Sequence, residues 1–291
     1  MSPADQLEQF EQQRGRLFAI AYHMLGSVAD AEDVVQEAYL RYRDVPAEAV
    51  RSPAAFLSTV VTRLCLNQLA SAHATRETYL GPWLPEPLVT EENPLQSRVE
   101  AHESVSMAFL LLLERLAPVE RAVFLLREVF DYPYAEIAAI VEKEEASCRQ
   151  IFHRAKRFLV ERRPRFGHAT AHDRQLLGQF LRAVETGDMD GLIQLLAEDV
   201  TFVADGGGKV AGAATRPVLG ARSVARFILG SLRLLPASYT SELTEANGEP
   251  AIVVRVAGQP VVFIGVTLRD HVITAMRVIG NPEKLRHLAR H

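Results

Sequence analysis

Between Arg149 and Arg165 the chain places seven cations, Arg149, Arg154, Lys156, Arg157, Arg162, Arg163 and Arg165, against one acid, Glu161. That local excess of six positive charges sits in a chain of 291 residues whose formal net charge is −4. A cationic stretch on an otherwise acidic chain is the electrostatic footprint of a nucleic-acid contact. The residue types sharpen this. In "YAEIAAIVEKEEASCRQIFHRAKRFL" the apolar Ile137, Ala138, Val141, Cys148, Ile151, Phe152, Ala155 and Leu159 recur at helical spacing and pack a short helix on a longer one. Ser147, Arg149, Gln150, His153, Arg154, Lys156 and Arg157 are left on the outer faces. Arg and Gln grip base edges through two hydrogen bonds, and the other cations hold phosphate, as a helix in a major groove requires. The competing reading is a solvated basic helix in a bundle.

The elements that carry this pair are helical on both sides. "RLFAIAYHMLGS", "DAEDVVQEAYLRYR" and "SPAAFLSTVVTRLCLNQLASA" predict helices over 14–72, and helical periodicity returns over 104–163. Breaks are expected at Ala117–Pro118, at "DYPY" (131–134) and near "EKEE" (142–145). Between them, four prolines (82, 85, 87 and 94) mark a linker, because each lacks an amide donor and restricts the residue before it. The stretch "YLGPWLPEP" places the only tryptophan, Trp83, in this stiff strip. After Pro164 two helices over 173–200 precede strand-like runs "VTFVA", "PAIVVRV", "PVVFIGVTL" and "HVITAMRVI", with a helix "ARSVARFILGSLRLL" among them. Helices followed by strands predict a separate α+β domain. No apolar run reaches the ~18 residues that span a bilayer. The polar N-terminus is unlike a signal peptide, and Cys65 and Cys148 fall in apolar helical patterns as reduced core thiols. Together these predict a cytoplasmic protein.

Taken in order, "AEDVVQEAYLRY", "SPAAFLSTVVTRLCLNQL" and "RLAPVERAVFLLREVFDYPYAEIAAIV…CRQIFHRAKRFL" resemble domains two and four of a bacterial extracytoplasmic-function RNA polymerase sigma factor. "YLGPWLPEP", "DGGGK" (205–209) and "NPEKL" (281–285) resemble the subgroup with a C-terminal SnoaL-like domain. The resemblance implies two all-α sigma domains, the second with a helix-turn-helix, and a C-terminal α+β cystatin-like cone. The expected boundaries are 1–73 for domain two, 74–103 for the linker, 104–165 for domain four and 166–291 for the cone. It implies a transcription initiation factor, not an enzyme, whose partners are core RNA polymerase and promoter DNA. A small-molecule ligand of the cone is left open; no membrane, cofactor or metal is indicated.

Residue by residue, the resemblance assigns polymerase binding to Asp30, Glu32, Asp33, Gln36 and Glu37. Asp33 and Glu37 are a like-charge i,i+4 pair that a basic partner would relieve, although acids near a helix start also suit the helix dipole alone. Single-strand capture at the −10 element needs aromatic stacking and cations. Tyr39, Tyr42, Phe56, Arg51 and Arg63 are available for it, with Asn67 as a polar reader; the competing reading of Tyr39 and Phe56 is a place in the core. The chain departs from the family in its arginine-poor "NQLASAHATRE", and in Glu142–Lys143 where a Gly and an apolar residue are usual. Gly suits that turn because it accepts positive φ.

In the cone, acid–base chemistry would fall to Asp205, Asp199, Asp270 or His271, without a supporting spacing between any two. Asp270–His271 reads as a solvent-facing hairpin tip, and "GGGK" lacks the spacing of a phosphate loop. The expectation is regulation in cis: Trp83, Leu84, Pro85 and Glu86 dock near Asp205, Gly206, Gly207, Gly208 and Lys209, with a Glu86–Lys209 ion pair; the competing reading packs Trp83 on domain two or four. Asn281 and Pro282 clip the last strand or touch the linker. The alternatives are a SnoaL-like isomerase or cyclase fused to a DNA-binding module, and a ligand-sensing operator-binding regulator.

Overall fold

The computed structural model describes residues 3–46, 49–76, 79–89, 106–160 and 171–289. The predicted linker beyond residue 89, and Arg162, Arg163 and Arg165, lie outside the described residues. The chain forms two compact units, Met1–Thr75 with Glu92–Arg165 and Arg76–Glu91 with Phe166–His291. The proline strip thus belongs with the C-terminal unit.

The first unit is helical: α1 (Pro3–Leu25), α2 (Val28–Arg43), α3 (Pro53–Arg76), α4 (Met107–Leu113), α5 (Pro118–Glu128), α6 (Tyr134–Val141) and α7 (Glu145–Val160). Local chemistry explains several starts. Ser27 caps α2, its hydroxyl accepting from the Asp30 amide at 3.2 Å, and Ser106 caps α4 in the same way. Pro118 opens α5, where its missing donor costs nothing, and the Glu120 carboxylate accepts from the Ala117 amide at 3.2 Å. Ala31, Val34, Val35 and Ala38 form the buried stripe of α2, and Leu17, Ile20 and Met24 that of α1. Cys65 and Cys148 are free and buried, and burial raises both thiols' pKa, as core thiols require.

The two helical parts of this unit are joined by buried polar contacts. The Arg121 guanidinium of α5, 3% exposed, donates to the Met24 carbonyl at the end of α1 and to Glu114 at 3.0 Å. Arg16 of α1 donates to the Phe130 carbonyl at 2.7 Å and covers the Tyr132 ring. Tyr132 in turn donates to the Ser58 hydroxyl of α3 at 2.6 Å.

His23 sits between the Tyr22 and Phe130 rings, 2% exposed, and its Nδ1 has no partner among the described residues. Burial lowers its pKa to about 4 from an ordinary 6.5. The unfolded chain therefore takes up a proton at a pH where the folded chain does not. Stability is unaffected above the ordinary value and falls as pH drops from there toward the folded pKa. At pH 5 the loss should be about 2 kcal/mol. Denaturant unfolding at pH 7.5 and 5 checks this, and His23→Gln should remove that part of the difference.

The second unit contains α8 (Ala171–Thr186), α9 (Met189–Leu195) and α10 (Ala221–Ser231) on one face of a six-stranded sheet. The strands are β1 (Leu196–Asp205), β2 (Val218–Leu219), β3 (Tyr239–Ala246), β4 (Glu249–Val256), β5 (Gln259–Arg269) and β6 (Val272–Ile279), in the order β2-β1-β6-β5-β4-β3. Only β1 and β6 pair in parallel. Three register shifts, at Leu196/Thr201, Val254/Arg255 and Thr267/Leu268, bend the strands. Such bulges curve a sheet. Two-residue turns at Asn247–Gly248, Ala257–Gly258 and Asp270–His271, all at positive φ, connect β3 to β6.

Two sequence expectations are corrected. The sequence pattern predicts a second helix up to residue 200, but α9 stops at Leu195 and Leu196 begins β1, because Val200, Phe202 and Ala204 alternate into the core. The sequence reading also missed β2 and β3. The latter is an edge strand whose polar "YTSELTEA" buries little.

Candidate functional site

α6, a three-residue turn and α7 form a helix-turn-helix. Ile137, Ile140 and Val141 of α6 and Cys148, Phe152, Ala155 and Leu159 of α7 are buried against α5. Glu142 stands where glycine would be expected and takes φ 54°, a left-handed conformation that costs a non-glycine residue about 1 kcal/mol. Arg63 of α3 compensates. Its guanidinium donates to the Ala139 and Ile140 carbonyls at 3.0 and 3.2 Å and meets the Glu142 carboxylate at 3.0 Å. The cation thus closes the C-terminus of α6, where carbonyls lack helical partners and the dipole is negative.

This conformation separates the predicted DNA contacts into groups. Arg149, Gln150, His153 and Arg157 are exposed on one side of α7, and Ser147 is half-buried near its start. Arg149 also lies over the Tyr134 ring and pairs with Glu145, one turn earlier. Arg154 and Lys156 face α5, paired with Glu120 and Glu128. Those two acids lie 34 and 28 residues upstream in sequence, so the basic run alone does not reveal them. Asn67 is exposed, whereas Arg63 is engaged with α6 as described. Of the aromatic candidates, Tyr42 is fully buried and donates to Gln9 at 2.8 Å, which removes it as a stacking platform in this structure. Its ring is core, packed on Phe56, while Tyr39 packs on Phe10; both Tyr39 and Phe56 keep partial exposure. Arg51 is exposed.

On α2, Glu32, Asp33 and Gln36 are exposed opposite the buried stripe, and Asp30 is half-buried behind the Ser27 cap. The Asp33–Glu37 repulsion is relieved within the helix, since Glu37 pairs with Arg41 at 2.8 Å. Glu32 and Asp33 have no ion-pair partner among the described residues.

In the C-terminal unit the strip from Tyr79 to Val89 is bound to the cone. Three of its residues are prolines without an amide, so the remaining donors are few, and two are met by buried side chains. The Leu84 amide donates to Asp205 Oδ2 at 2.8 Å, and the Leu88 amide to Asn247 Oδ1 at 3.0 Å. Asn247 donates back to the Leu88 carbonyl, and Val89 bridges Ala246. Lys284 Nζ, on a side chain 8% exposed, donates to Asp205 Oδ2 at 2.7 Å and to the Leu84 carbonyl. The same ammonium sits 4.0 Å from the centre of the Trp83 ring, a cation–π contact. Asp205 Oδ1 accepts from the Tyr79 hydroxyl and from the Gly207 amide at 3.1 Å. Asn281 donates to the Tyr79 oxygen at 3.0 Å. Burial and the Asp205 hydrogen bond hold the Tyr79 phenol protonated well above its ordinary range.

The glycines of "DGGGK" follow from this approach. A Cβ on Gly207, at φ 56°, would stand 2.4 Å from Asn281 Nδ2 and 3.1 Å from the Tyr79 oxygen. One on Gly208 would meet Leu80 at 3.1 Å. Leu84, Pro85, Glu86 and Leu88 are buried, and Trp83 is half-buried. The expected Glu86–Lys209 pair is replaced. Lys209 is on the solvent side of the loop and pairs with Glu283 at 2.5 Å, and the cation that meets the tryptophan is Lys284. Pro282 is exposed beside it. The sequence reading did not single out Lys284, Tyr79, Asn247 or His287, whose Nε2 lies 2.7 Å from the Pro87 carbonyl.

The acid–base candidates do not assemble. Asp205 is fully buried with four donors on its two oxygens, Asp199 is exposed at the β1 start, and Asp270 and His271 form a solvent-facing turn. Among the described residues no group of three or more His, Cys, Asp or Glu could hold a metal, and no helix is long and apolar enough to cross a membrane.

Comparison with known proteins gives this arrangement its family. The Sigma-70 region 2 model matches residues 9–75, and the Sigma-70, region 4 model matches residues 106–159. The ECF RNA polymerase sigma factor SigJ of Mycobacterium tuberculosis is 39% identical over 295 residues, covering 96% of this chain and 93% of that protein. A probable ECF RNA polymerase sigma factor, SigI of the same species, is 34% identical over 66% of this chain and 67% of its own length. The crystal structure of SigJ superposes with a TM-score of 0.75 at 37% identity, over 96% of this chain and 97% of that one. With two helical sigma regions followed by an α+β domain, this chain belongs to the ECF RNA polymerase sigma factors.

Proposed function

We propose that this sigma factor is restrained in cis by its own C-terminal domain, through the grip of the cone on the Tyr79–Val89 strip. One observation carries the reading: both backbone polar groups of Leu84 end on the buried Asp205–Lys284 pair. The strip lies in the connector between sigma domains two and four, so holding its middle limits how far the ends of those domains can part. Because the cone is fused to its target, effective concentration replaces intrinsic affinity, and a modest contact suffices.

In this proposal Glu32, Asp33 and Gln36, with Asp30 and Glu37 beside them, present the acidic face of α2 to a basic surface of core polymerase. Arg149, Gln150, His153 and Arg157, with Ser147 at the helix start, enter the −35 major groove. Arg154 and Lys156 exchange their α5 carboxylates for phosphates, or stay paired and fix the helix. Asn67, Tyr39, Phe56 and Arg51 contact the melted −10 strand. Arg63 joins them once it leaves the end of α6, so promoter opening and separation of the helical domains are linked. The protein works in the cytoplasm with core polymerase.

Run-off transcription with core polymerase tests this, on a promoter recovered with the reconstituted holoenzyme. The full chain alone should bind promoter duplex poorly and gain specificity with polymerase. Arg149→Ala with Gln150→Ala should lower output about tenfold or more, since each bidentate base contact contributes about 1–3 kcal/mol. Trp83→Ala and truncation before His168 should both change output. Unchanged transcription from both would reject control through the strip.

A further inference from the structure

The sheet and the helices over it line an open-mouthed cavity of about 590 Å³, within the range of roughly 300–1,000 Å³ typical of sites for small organic ligands. Its walls are apolar, with Phe180 of α8, Phe227 of α10, and Phe202, Val254, Ile264 and Met276 from the concave face of the sheet. A densely packed cone would fill such a space with side chains. Here the aromatic residues stop at its edge.

Two polar groups face the interior from one strand. Tyr239 and Ser241 are two residues apart on β3, hence on the same face, and pair with Val256 and Val254 of β4. Neither side chain has a hydrogen-bond partner among the described residues. Their neighbour Ser231 is satisfied by the Ile228 carbonyl at 2.8 Å. The charged groups on the lining are Lys209 and Glu185, both exposed, and Asp205, whose oxygens already hold four donors. An ionic ligand would lose its hydration without a buried counter-charge. A neutral apolar molecule with one hydroxyl or carbonyl, placed near Tyr239 and Ser241, meets every wall.

The cavity and the strip also share a segment of chain. Lys209, Val210, Ala211, Gly212 and Ala213 line the cavity, while Asp205, Gly207 and Gly208, immediately before them, seat Tyr79, Leu84 and Leu80. The segment is tightly spaced. A Cβ on Gly206 would stand 2.7 Å from Ala213 Cβ, and one on Gly212 would stand 2.4 Å from Leu234 Cδ1. The same short stretch of backbone thus carries both the cavity wall and the seat of the strip. We propose that the cone binds a neutral, largely apolar small molecule in this cavity, and that the 205–213 segment transmits its occupancy to the Tyr79–Leu88 strip. This deepens the proposed regulation in cis by naming the class of signal, and binding and coupling are read without transcription.

The sole tryptophan supplies the readout, since Trp83 sits on the strip with Lys284 over its ring. The full chain is titrated with Nile red, a neutral apolar dye, which is then displaced with 1-decanol while tryptophan emission is followed. Saturable binding of one dye per chain is expected, with displacement by decanol and a shift in Trp83 emission on the same concentration scale. Ser241→Phe and Val262→Phe, which fill the cavity from two strands, should each weaken binding at least about tenfold and remove the emission shift. Thermal unfolding identifies a folded filled variant. Absence of saturable dye binding in the wild-type chain would overturn the site. Binding that leaves Trp83 unchanged would overturn the coupling. If both appear while truncation before His168 leaves transcription unchanged, the site stands and the proposed regulation fails.

Discussion

Asp205→Ala should release the strip. The substitution removes the acceptor shared by Tyr79, the Leu84 amide, the Gly207 amide and Lys284. It also takes the Asp205 carboxylate away from an ammonium on a side chain only 8% exposed. Breaking a buried pair from one side costs about 3–5 kcal/mol, because the remaining charge stays desolvated. A chain can avoid much of that cost by letting Lys284 swing into water, which takes the cation away from the Trp83 ring and the donor away from the Leu84 carbonyl. The expected result is a red-shifted Trp83 emission, new protease cleavage between Tyr79 and Val89, and a lower unfolding midpoint for the C-terminal unit. Asp205→Asn keeps an acceptor but loses the charge and should fall between. Lys209→Ala breaks only the exposed Lys209–Glu283 pair and should leave the emission where it was. Equal behaviour of the Asp205 and Lys209 variants would mean that the buried pair does not hold the strip.

Why the strip was legible and its lock was not is a matter of range. Proline spacing and a lone tryptophan are local signals, and "DGGGK" announces a backbone that must turn tightly. Lys284 falls within "NPEKL", but nothing local says where its ammonium goes. It lies 79 residues from Asp205 and 200 from Leu84, and a lysine on an otherwise polar turn is ordinarily solvated. The same limit separates Arg63 from the end of α6, 77 residues away. Read locally, Arg63 is a free cation on a helix beside Asn67; in the folded unit it is the group that makes Glu142 tolerable at positive φ.

Elements with a one-sided apolar pattern, such as α2 and α7, could be read directly because periodicity alone states which face is buried. β3 could not, since both faces of an edge strand are polar enough to resemble a loop. Its turn was nonetheless signalled by Asn247–Gly248, a pair suited to two successive positive φ values. The α9–β1 junction was missed because "LIQLLAEDV" satisfies helical and strand spacing equally for its first half. The parallel pairing with β6, which decides it, involves residues more than 70 positions on.

The second large effect is expected in the helical unit, at Arg121. Its guanidinium is 3% exposed and spans the Met24 carbonyl of α1 and the Glu114 carboxylate after α4. Arg121→Met keeps the length of the side chain and much of its packing, but takes this guanidinium from Glu114, itself 15% exposed, and its donor from the Met24 carbonyl. Loss of one partner of a buried pair predicts about 3 kcal/mol of destabilisation. In a unit of this size each kcal/mol lowers the midpoint by roughly 2–4 °C, so the fall should be about 6–12 °C. A double variant, Arg121→Met with Glu114→Gln, should recover part of that loss by removing the buried charge, and with the Glu114→Gln single variant the cycle gives the coupling between the two residues. The functional consequence follows from which elements the residue joins. Arg121 ties the end of α1 in domain two to α5 in domain four, as Arg63 and Arg16 do elsewhere along the same contact. If this packing opposes promoter engagement, the folded double variant should gain promoter-dependent transcription while losing stability. A variant that loses both would make the packing a support for the active form instead.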